Sequence, residues 1–515
     1  MMIGLAGILT ALAFPTALFS HRLPNLGWLA WIAIVPLYWG LREASPRQAL
    51  KQGYVFAIPF YGLSFYWVAI ALRVYGDLAL WQSVGGLLGV AAIFSSMLAA
   101  TLAGVAWLRS KGIPLLVGLP LCWVAQDLLR NYFPFGGFPW SNLAYTQAAY
   151  LPLVQSLDLL GIHGLTLLIL LLNGGLAFGL RRDASKLARW VLCISLCLFA
   201  LNGAYGVMRM RQVDAAMAQL PKKRVALIQG NIPQDEKWLE DMSDEILERY
   251  LKYSHQAEQS HPDLLIWPEA AYPAVVPPEW IELMPIHDLK IPLLTGAVTF
   301  EGMLPESWPP PPDFTEFSLH NSSMIINPGG SIGDFYHKRH LVPFGEYVPL
   351  QKVLFFIEKL VPGISSFSPG EEWNLIGVDL PNLEKMQMGV MICYEDIFPE
   401  PARYFTRQQA DFLVNLTNDA WYERASMVYQ HLDYSRYRAI ENRRTMVRAT
   451  NTGMTAIIDP VGRVVTQLPP FTEGVLPGEV SLGGPNSVYT RWGDWLAWGC
   501  VLGLVGCFLR VFKKR

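Results

Sequence analysis

Hydrophobic residues in this chain form long unbroken runs in one part and short compact runs in another, and the two patterns predict two kinds of structure. Apolar stretches occupy about 2–20, 26–41, 53–72, 80–108, 113–130, 157–180 and 188–207, with an eighth near 493–511. Most reach the ~20 residues a helix needs to cross the hydrocarbon layer, and the shorter second run has aromatic ends suited to an interface. The expectation is seven spans within residues 1–210 and an eighth, with a short tail, in 491–515. Charges are nearly absent from the middle of these runs; Asp127 lies near Arg130 at a helix end and Asp158 opens the sixth. Ion-coupled carriers place ionisable groups at mid-depth, so this bundle reads as an anchor and lipid-facing platform, not a transport path. Gly85 and Gly89 make a small-residue pair suited to close helix packing.

Residues 211–490 follow a different pattern. Val225–Gln229, Leu264–Trp267, Pro292–Val298, Met388–Ile392 and Phe412–Leu416 are apolar on both faces, as buried strands are. Two near-repeats, Ser323–Asp334 and Thr455–Val465, each place Asn or Asp, Pro and Gly between apolar arms and are expected to be hairpins. Helices are expected at about 238–260, 398–409 and 425–442. A β-sandwich covered by helices is the economical way to bury these elements.

Composition strengthens the membrane reading, because 52% hydrophobic and 16% charged residues in a 515-residue chain are too apolar for a pair of ordinary soluble domains. A net charge of -2 offers no footprint for nucleic acid. Basic residues in short loops set the orientation. One set of alternate loops and the last tail carry thirteen: Arg42, Arg47, Lys51, Arg109, Lys111, Arg181, Arg182, Lys186, Arg189, Arg510, Lys513, Lys514 and Arg515. The other set carries only Arg22, Arg73 and Arg130, which puts both termini in the cytoplasm and residues 211–490 outside. Lys222, Lys223 and Arg224 run against this, but long translocated domains are largely exempt from the rule.

Five of the six cysteines lie in apolar runs, leaving Cys393 alone in the polar part without a disulfide partner there. No CxxC or HExxH spacing suggests zinc, and no metal is expected. Cys393 ends a buried strand and is followed by Tyr394, Glu395 and Asp396, where a sheet opens to a pocket. Glu269 also follows a buried strand, where partial desolvation would raise its pKa and suit it to take a thiol proton. Lys338 ends the second arm of the first hairpin. Each alone fits a core or capping role; together, at strand ends, they can converge.

Trp267-Pro268-Glu269, Tyr336-His337-Lys338 and Cys393-Tyr394-Glu395, in this order, resemble the Glu, Lys, Cys triad of the nitrilase superfamily. The apolar runs together with Gly137-Phe-Pro-Trp140, Pro343-Phe-Gly-Glu-Tyr-Val-Pro349, Ser366-Phe-Ser-Pro-Gly370 and Thr417-Asn-Asp-Ala-Trp421 resemble the apolipoprotein N-acyltransferase family over essentially the whole chain. The resemblance implies a transmembrane helical bundle of eight spans plus an α/β nitrilase-like αββα sandwich domain in the inner membrane of bacteria, the catalytic domain being periplasmic. It implies transfer of an acyl chain from a phospholipid to the amine of a diacylglyceryl-cysteine on an apolipoprotein, without a cofactor, a monomer being the expected form. By the same resemblance Glu269 is the general base, Lys338 the oxyanion donor and Cys393 the nucleophile; Glu346, Tyr394 and Glu395 support them, and Trp238, Trp140 and Trp421 are substrate-binding candidates. Trp421-Tyr422-Glu423 departs from a more usual Trp-Phe-Gly.

Other readings stay open on sequence grounds. The same triad serves a membrane-tethered amidase that hydrolyses a lipid or small amide, and a scaffold or transporter with a decayed domain is a rival of another class. The aromatic loop Tyr132–Trp140 fits an interfacial belt or the lining of a lipid site, and Trp492, Trp495 and Trp498 fit an aromatic anchor. Pro362–Gly370 carries the Pro and Gly punctuation of a lid or of an ordinary surface loop.

Overall fold

The computed structural model describes residues 1–18, 21–277, 280, 282–283, 286–302, 317–349, 367–380 and 385–513. The chain divides into two compact units. One comprises Met1–Gln212, Arg424–Asp433 and Ser487–Arg515; the other comprises Val213–Glu423 and Tyr434–Asn486.

The first unit is helical, but its apolar runs do not all become helices of spanning length. Four described helices are long and apolar enough to cross a membrane: Leu80–Ser110, Leu157–Gly179, Lys186–Met217 and Trp495–Lys513. Pro46–Ser64 and Trp67–Val74 would make a fifth if taken together, but they are bent by 51°. Phe65 breaks them, leaving helical geometry at φ -110° and ψ 10°. The other three runs give the shorter helices Met2–Leu12, Gly27–Leu41 and Leu115–Leu129. Local sequence accounts for this. Met2–Leu12 stops ahead of Pro15, the second begins as a tighter turn at Gly27–Trp31, and the third rises about 22 Å against a core of about 30 Å. Eight full spans is therefore corrected to four, or five with the bent pair, among the described residues.

Burial separates the roles of these helices. In the most apolar window of Leu157–Gly179, 61% of residues are buried, whereas in Lys186–Met217 and Trp495–Lys513 the share is 17%. The last two turn Trp190, Leu201, Leu502 and Phe512 outward, a surface that water disfavours and lipid does not. The segment Arg424–Asp433 belongs to this unit by specific bonds. Ser426 N–H donates to the Tyr66 hydroxyl at 2.9 Å, and Trp140 Nε1–H donates to Gln430 Oε1 at 2.8 Å.

The second unit holds strands β1 (Lys222–Gln229), β2 (Leu264–Ile266), β3 (Leu293–Gly302), β4 (Phe317–Ile326), β5 (Ile332–His337), β6 (Ile376–Asp379), β7 (Lys385–Ile392), β8 (Phe412–Thr417), β9 (Met446–Thr450), β10 (Ala456–Ile458), β11 (Val464–Gln467) and β12 (Gly474–Ser481). One sheet runs β12-β1-β2-β3-β4-β5 and the other β6-β7-β8-β9-β10-β11. Both have the same pairing sense along this order: antiparallel, parallel, parallel, antiparallel, antiparallel. The two near-repeated hairpins are β4–β5 and β10–β11, which occupy equivalent places in the two sheets. The sheets pack on each other through the apolar side chains of β1, β7, β9 and their neighbours, and helices Ser243–Glu258 and Pro399–Arg407 lie against β1 and β7. This is the expected nitrilase-like sandwich. Parallel strands β2, β7 and β8 end in Trp267-Pro268-Glu269, Cys393 and Asn418, so one set of strand ends gathers the polar groups.

Candidate active site

Cys393 follows β7 and opens a tight turn, Cys393–Ile397, with φ +49°, a left-handed conformation that costs an L-residue roughly 1–2 kcal/mol. Neighbours hold it there. Asn415 Nδ2–H donates to the Cys393 carbonyl at 3.1 Å, and buried Arg448 donates to Asn415 Oδ1 at 2.5 Å and to Asp419 Oδ2 at 2.7 Å. Glu395, fully buried, accepts from Ile392 N–H at 2.8 Å with one oxygen. Its other oxygen accepts from the Tyr336 hydroxyl at 2.7 Å, Arg339 N–H at 2.8 Å and His340 N–H at 3.2 Å. Glu395 thus ties the turn carrying Cys393 to the loop that starts at Lys338. Burial pushes its carboxyl up while these donors pull it down.

Lys338 and the carboxylates form one cluster. Its Nζ lies 2.9 Å from Glu346 Oε1 and 3.5 Å from Glu269 Oε1, and all three side chains are at least nine-tenths buried or close to it. Asn321 Nδ2 donates to the same two oxygens at 2.8 Å each. Glu269 Oε2 accepts from Asn418 N–H at 2.8 Å, and Glu346 Oε2 from Val342 N–H at 2.8 Å. Burial would lower the Lys338 ammonium, but Glu346, Glu269 and Cys393 outweigh it and hold its pKa well above the usual lysine value. Cys393 itself is partly exposed; burial of its sulfur and then the Glu269 charge push the thiol well up, against a lowering by Lys338. Burial and the Glu269 charge thus favour the neutral thiol over the thiolate. This arrangement suits proton transfer at the moment of attack more than a standing thiolate.

Backbone packing places Glu269. Gly296 on β3 donates its N–H to the Pro268 carbonyl at 3.1 Å, and a Cβ there would lie 2.5 Å from Ala270 N, 2.6 Å from Pro268 O and 2.7 Å from Glu269 Cα. Gly296→Ala is accordingly expected to cost about 1–3 kcal/mol of stability and to displace the Glu269 carboxylate. Thermal denaturation and the single-turnover rate of the site, measured together, check this; unchanged values in both would show that the loop yields without consequence.

The remaining sequence candidates fall in different places. Tyr394 is buried with its ring edge-on to Phe398 at 5.2 Å, and its N–H lies in the first turn of Cys393–Ile397. Trp238 and Trp421 belong to the same unit and are 52% and 42% exposed. Trp140 belongs to the helical unit, buried beside Trp67 and Phe138. Of the lid candidate Pro362–Gly370, residues 362–366 lie outside the described residues. The rest is tied down: Phe367 N–H donates to Glu346 O at 3.0 Å and Gly370 N–H to Lys338 O at 2.8 Å. Glu423 has φ +49° and ψ -150°, a region that favours glycine, the residue the resemblance leads one to expect there.

Sequence reasoning missed Asn321, Asn415, Arg448 and Lys237. Lys237 is buried and donates from Nζ to the Glu269 carbonyl at 3.0 Å; burial lowers it to about 8, against the raising influence of Glu269 and Cys393. Its one signal was adjacency to Trp238.

Comparison with known proteins identifies relatives of both units. Residues 6–175 match the apolipoprotein N-acyltransferase N-terminal domain and residues 224–488 match carbon-nitrogen hydrolase. Apolipoprotein N-acyltransferases of Geobacter metallireducens, Pseudomonas putida and Methylococcus capsulatus are 38%, 33% and 31% identical to this chain. The alignments cover 100%, 97% and 98% of it and 95%, 96% and 94% of them, respectively. Among solved structures, Saccharomyces cerevisiae Nit3, a member of branch 10 of the nitrilase superfamily, is 20% identical, with 53% of this chain and 93% of that chain covered and a TM-score of 0.36. With relatives aligned end to end across both units, the chain belongs to the apolipoprotein N-acyltransferase family.

Proposed function

We propose that this enzyme moves an acyl chain from a phospholipid to the α-amino group of an S-diacylglyceryl-cysteine at the start of an apolipoprotein, through a thioester on Cys393. The observation that carries the reading is the buried cluster of Glu269, Lys338 and Glu346, whose Glu269 and Lys338 charges act on Cys393, in a chain related over its full length to acyltransferases of this name. Glu269 takes the thiol proton as sulfur attacks the ester carbonyl. Lys338 and the Tyr394 N–H donate to the oxyanion. The intermediate collapses as Glu269 returns the proton to the departing lysophospholipid oxygen. In the second half the uncharged amine attacks the thioester, gives its proton to Glu269, and the proton passes to the released sulfur.

A thiol suits this sequence of steps. It attacks an oxygen ester to give a thioester that an amine can aminolyse to the more stable amide. Glu346 and Glu395 support the set, one beside Lys338 and one beneath Cys393. Exposed Trp238 and Trp421 are fitted to contact lipid or lipopeptide, and Trp140 is assigned a substrate role by resemblance alone. We assign the apolar helices of residues 1–210 and 491–515 to the membrane, with residues 211–490 periplasmic and both termini cytoplasmic.

Initial rates with both substrates varied are expected to give parallel double-reciprocal lines, and intact-protein mass spectrometry after phospholipid alone to show one added acyl group. That group should leave on adding a lipopeptide with a free diacylglyceryl-cysteine amine and persist in water. Intersecting lines without an adduct would sink the mechanism; rapid loss in water alone would favour an amidase.

A further inference from the structure

Around Lys338 the two carboxylates are arranged alike. Oε1 of each receives Lys338 Nζ and Asn321 Nδ2, and Oε2 of each receives one backbone N–H. Asn321 lies on β4 opposite Val298 of β3, and its carbonyl accepts from Lys338 N–H at 2.8 Å. One side chain therefore touches both carboxylates while its backbone holds the lysine. The amide orientation is fixed by chemistry, because a carboxylate only accepts and the NH2 is the end that donates. That orientation leaves Asn321 Oδ1 buried without a partner among the described residues, an arrangement that fold stability alone does not favour.

Resting on the acyltransferase reading, we propose that Asn321 is a positioning residue that reserves Oε2 of Glu269 as the atom taking the Cys393 proton. A carboxylate oxygen has about two lone-pair sites. On Oε1 both are taken, by Asn321 and Lys338; on Oε2 the Asn418 N–H takes one, and among the described residues one remains for the thiol proton. Without Asn321, Oε1 has a site open as well and competes with Oε2 for the proton. The charged groups facing Asn321 are Glu269, Glu346 and Lys338, with Cys393 in electrostatic reach of that cluster and Lys237 on the Glu269 carbonyl. Glu301, His320 and His337 gather around Ser322, on the other face of the strand.

The test is the single-turnover rate of acyl attachment to Cys393 in the full-length enzyme, read by intact mass with phospholipid vesicles as donor. Asn321→Leu removes both donors without adding charge and is expected to lower the rate about 10–100-fold with little change in the donor concentration giving half-maximal rate. Asn321→Asp keeps the shape. Ionised, it sets a third negative group against the two carboxylates; protonated, it can donate to one of them. The ratio of its rate to the parent's is expected to fall about tenfold or more from about pH 5.5 to about 8.5. A flat ratio, or Asn321→Leu acylating at the parental rate, overturns the proposal. A parent that takes up no acyl group defeats the acyltransferase reading itself, so the two failures are told apart.

Discussion

Cys393→Ala is expected to take up no acyl group from phospholipid and to lose turnover on the order of 10⁶-fold, the scale seen when a covalent nucleophile is deleted from a hydrolytic triad. The loss should be confined to chemistry. The sulfur is a small part of the packing, and alanine meets the same left-handed strain at φ +49° that cysteine does. Cys393→Gly separates the two contributions: equally inactive, it relieves that strain and should melt no lower than the alanine variant, by as much as about 1 kcal/mol in its favour. Glu269→Gln in either background should then cost nothing further, since a base without a nucleophile has no proton to take. Donor-dependent acyl transfer persisting in Cys393→Ala would end the thioester mechanism. A further loss on adding Glu269→Gln would mean that the carboxylate acts on some other group.

Much of this site could be read before any fold was known, because its chemistry sits at strand ends marked in the sequence. Leu264–Ile266 and Met388–Ile392 are apolar on both faces; Cys393 follows the second at once, and Glu269 follows the first after Trp267 and Pro268. The hairpin ending at Lys338 was marked by its Asn-Pro-Gly-Gly turn. What escaped was polar and buried. Strand β9 holds Arg448 in its middle, and a charge inside a run of five residues hides the strand, though Arg448 is fully buried against Asp419 and Asn415. Asn321 was likewise invisible, since Phe317–Ser323 is mixed in polarity and its partners lie 52 and 25 residues away. Helix lengths were over-read for a simpler reason: hydropathy counts apolar residues across Pro15 and Phe65, whereas the backbone breaks there. Arg424–Asp433 reads as part of a helix in the soluble pattern, yet its Ser426 and Gln430 bond to the helical unit, a long-range fact that no local pattern carries.

Lys338→Met is expected to strike activity and stability together. Removing the ammonium takes away one oxyanion donor, about 10²–10³ in rate. It also leaves Glu269 and Glu346 buried without their cation, where breaking a buried pair typically costs about 3–5 kcal/mol. The pH dependence in the parent follows from the raised Lys338 pKa. A group so shifted contributes its full stabilisation below its unfolded value of about 10.4, and loses it only as pH rises through the higher folded value. Its contribution is therefore constant across any neutral assay range, and a stability change between about pH 6 and 9 has to come from other groups. A second substitution isolates the two effects. Glu346→Gln added to Lys338→Met removes one of the stranded charges and keeps an amide oxygen that can still accept from Asn321. The double variant should recover a substantial part of the lost stability, read by denaturant titration in detergent, while acylation of Cys393 stays as slow as in Lys338→Met. Recovery of rate along with stability would mean that the lysine serves the fold alone, leaving the Tyr394 N–H to hold the oxyanion.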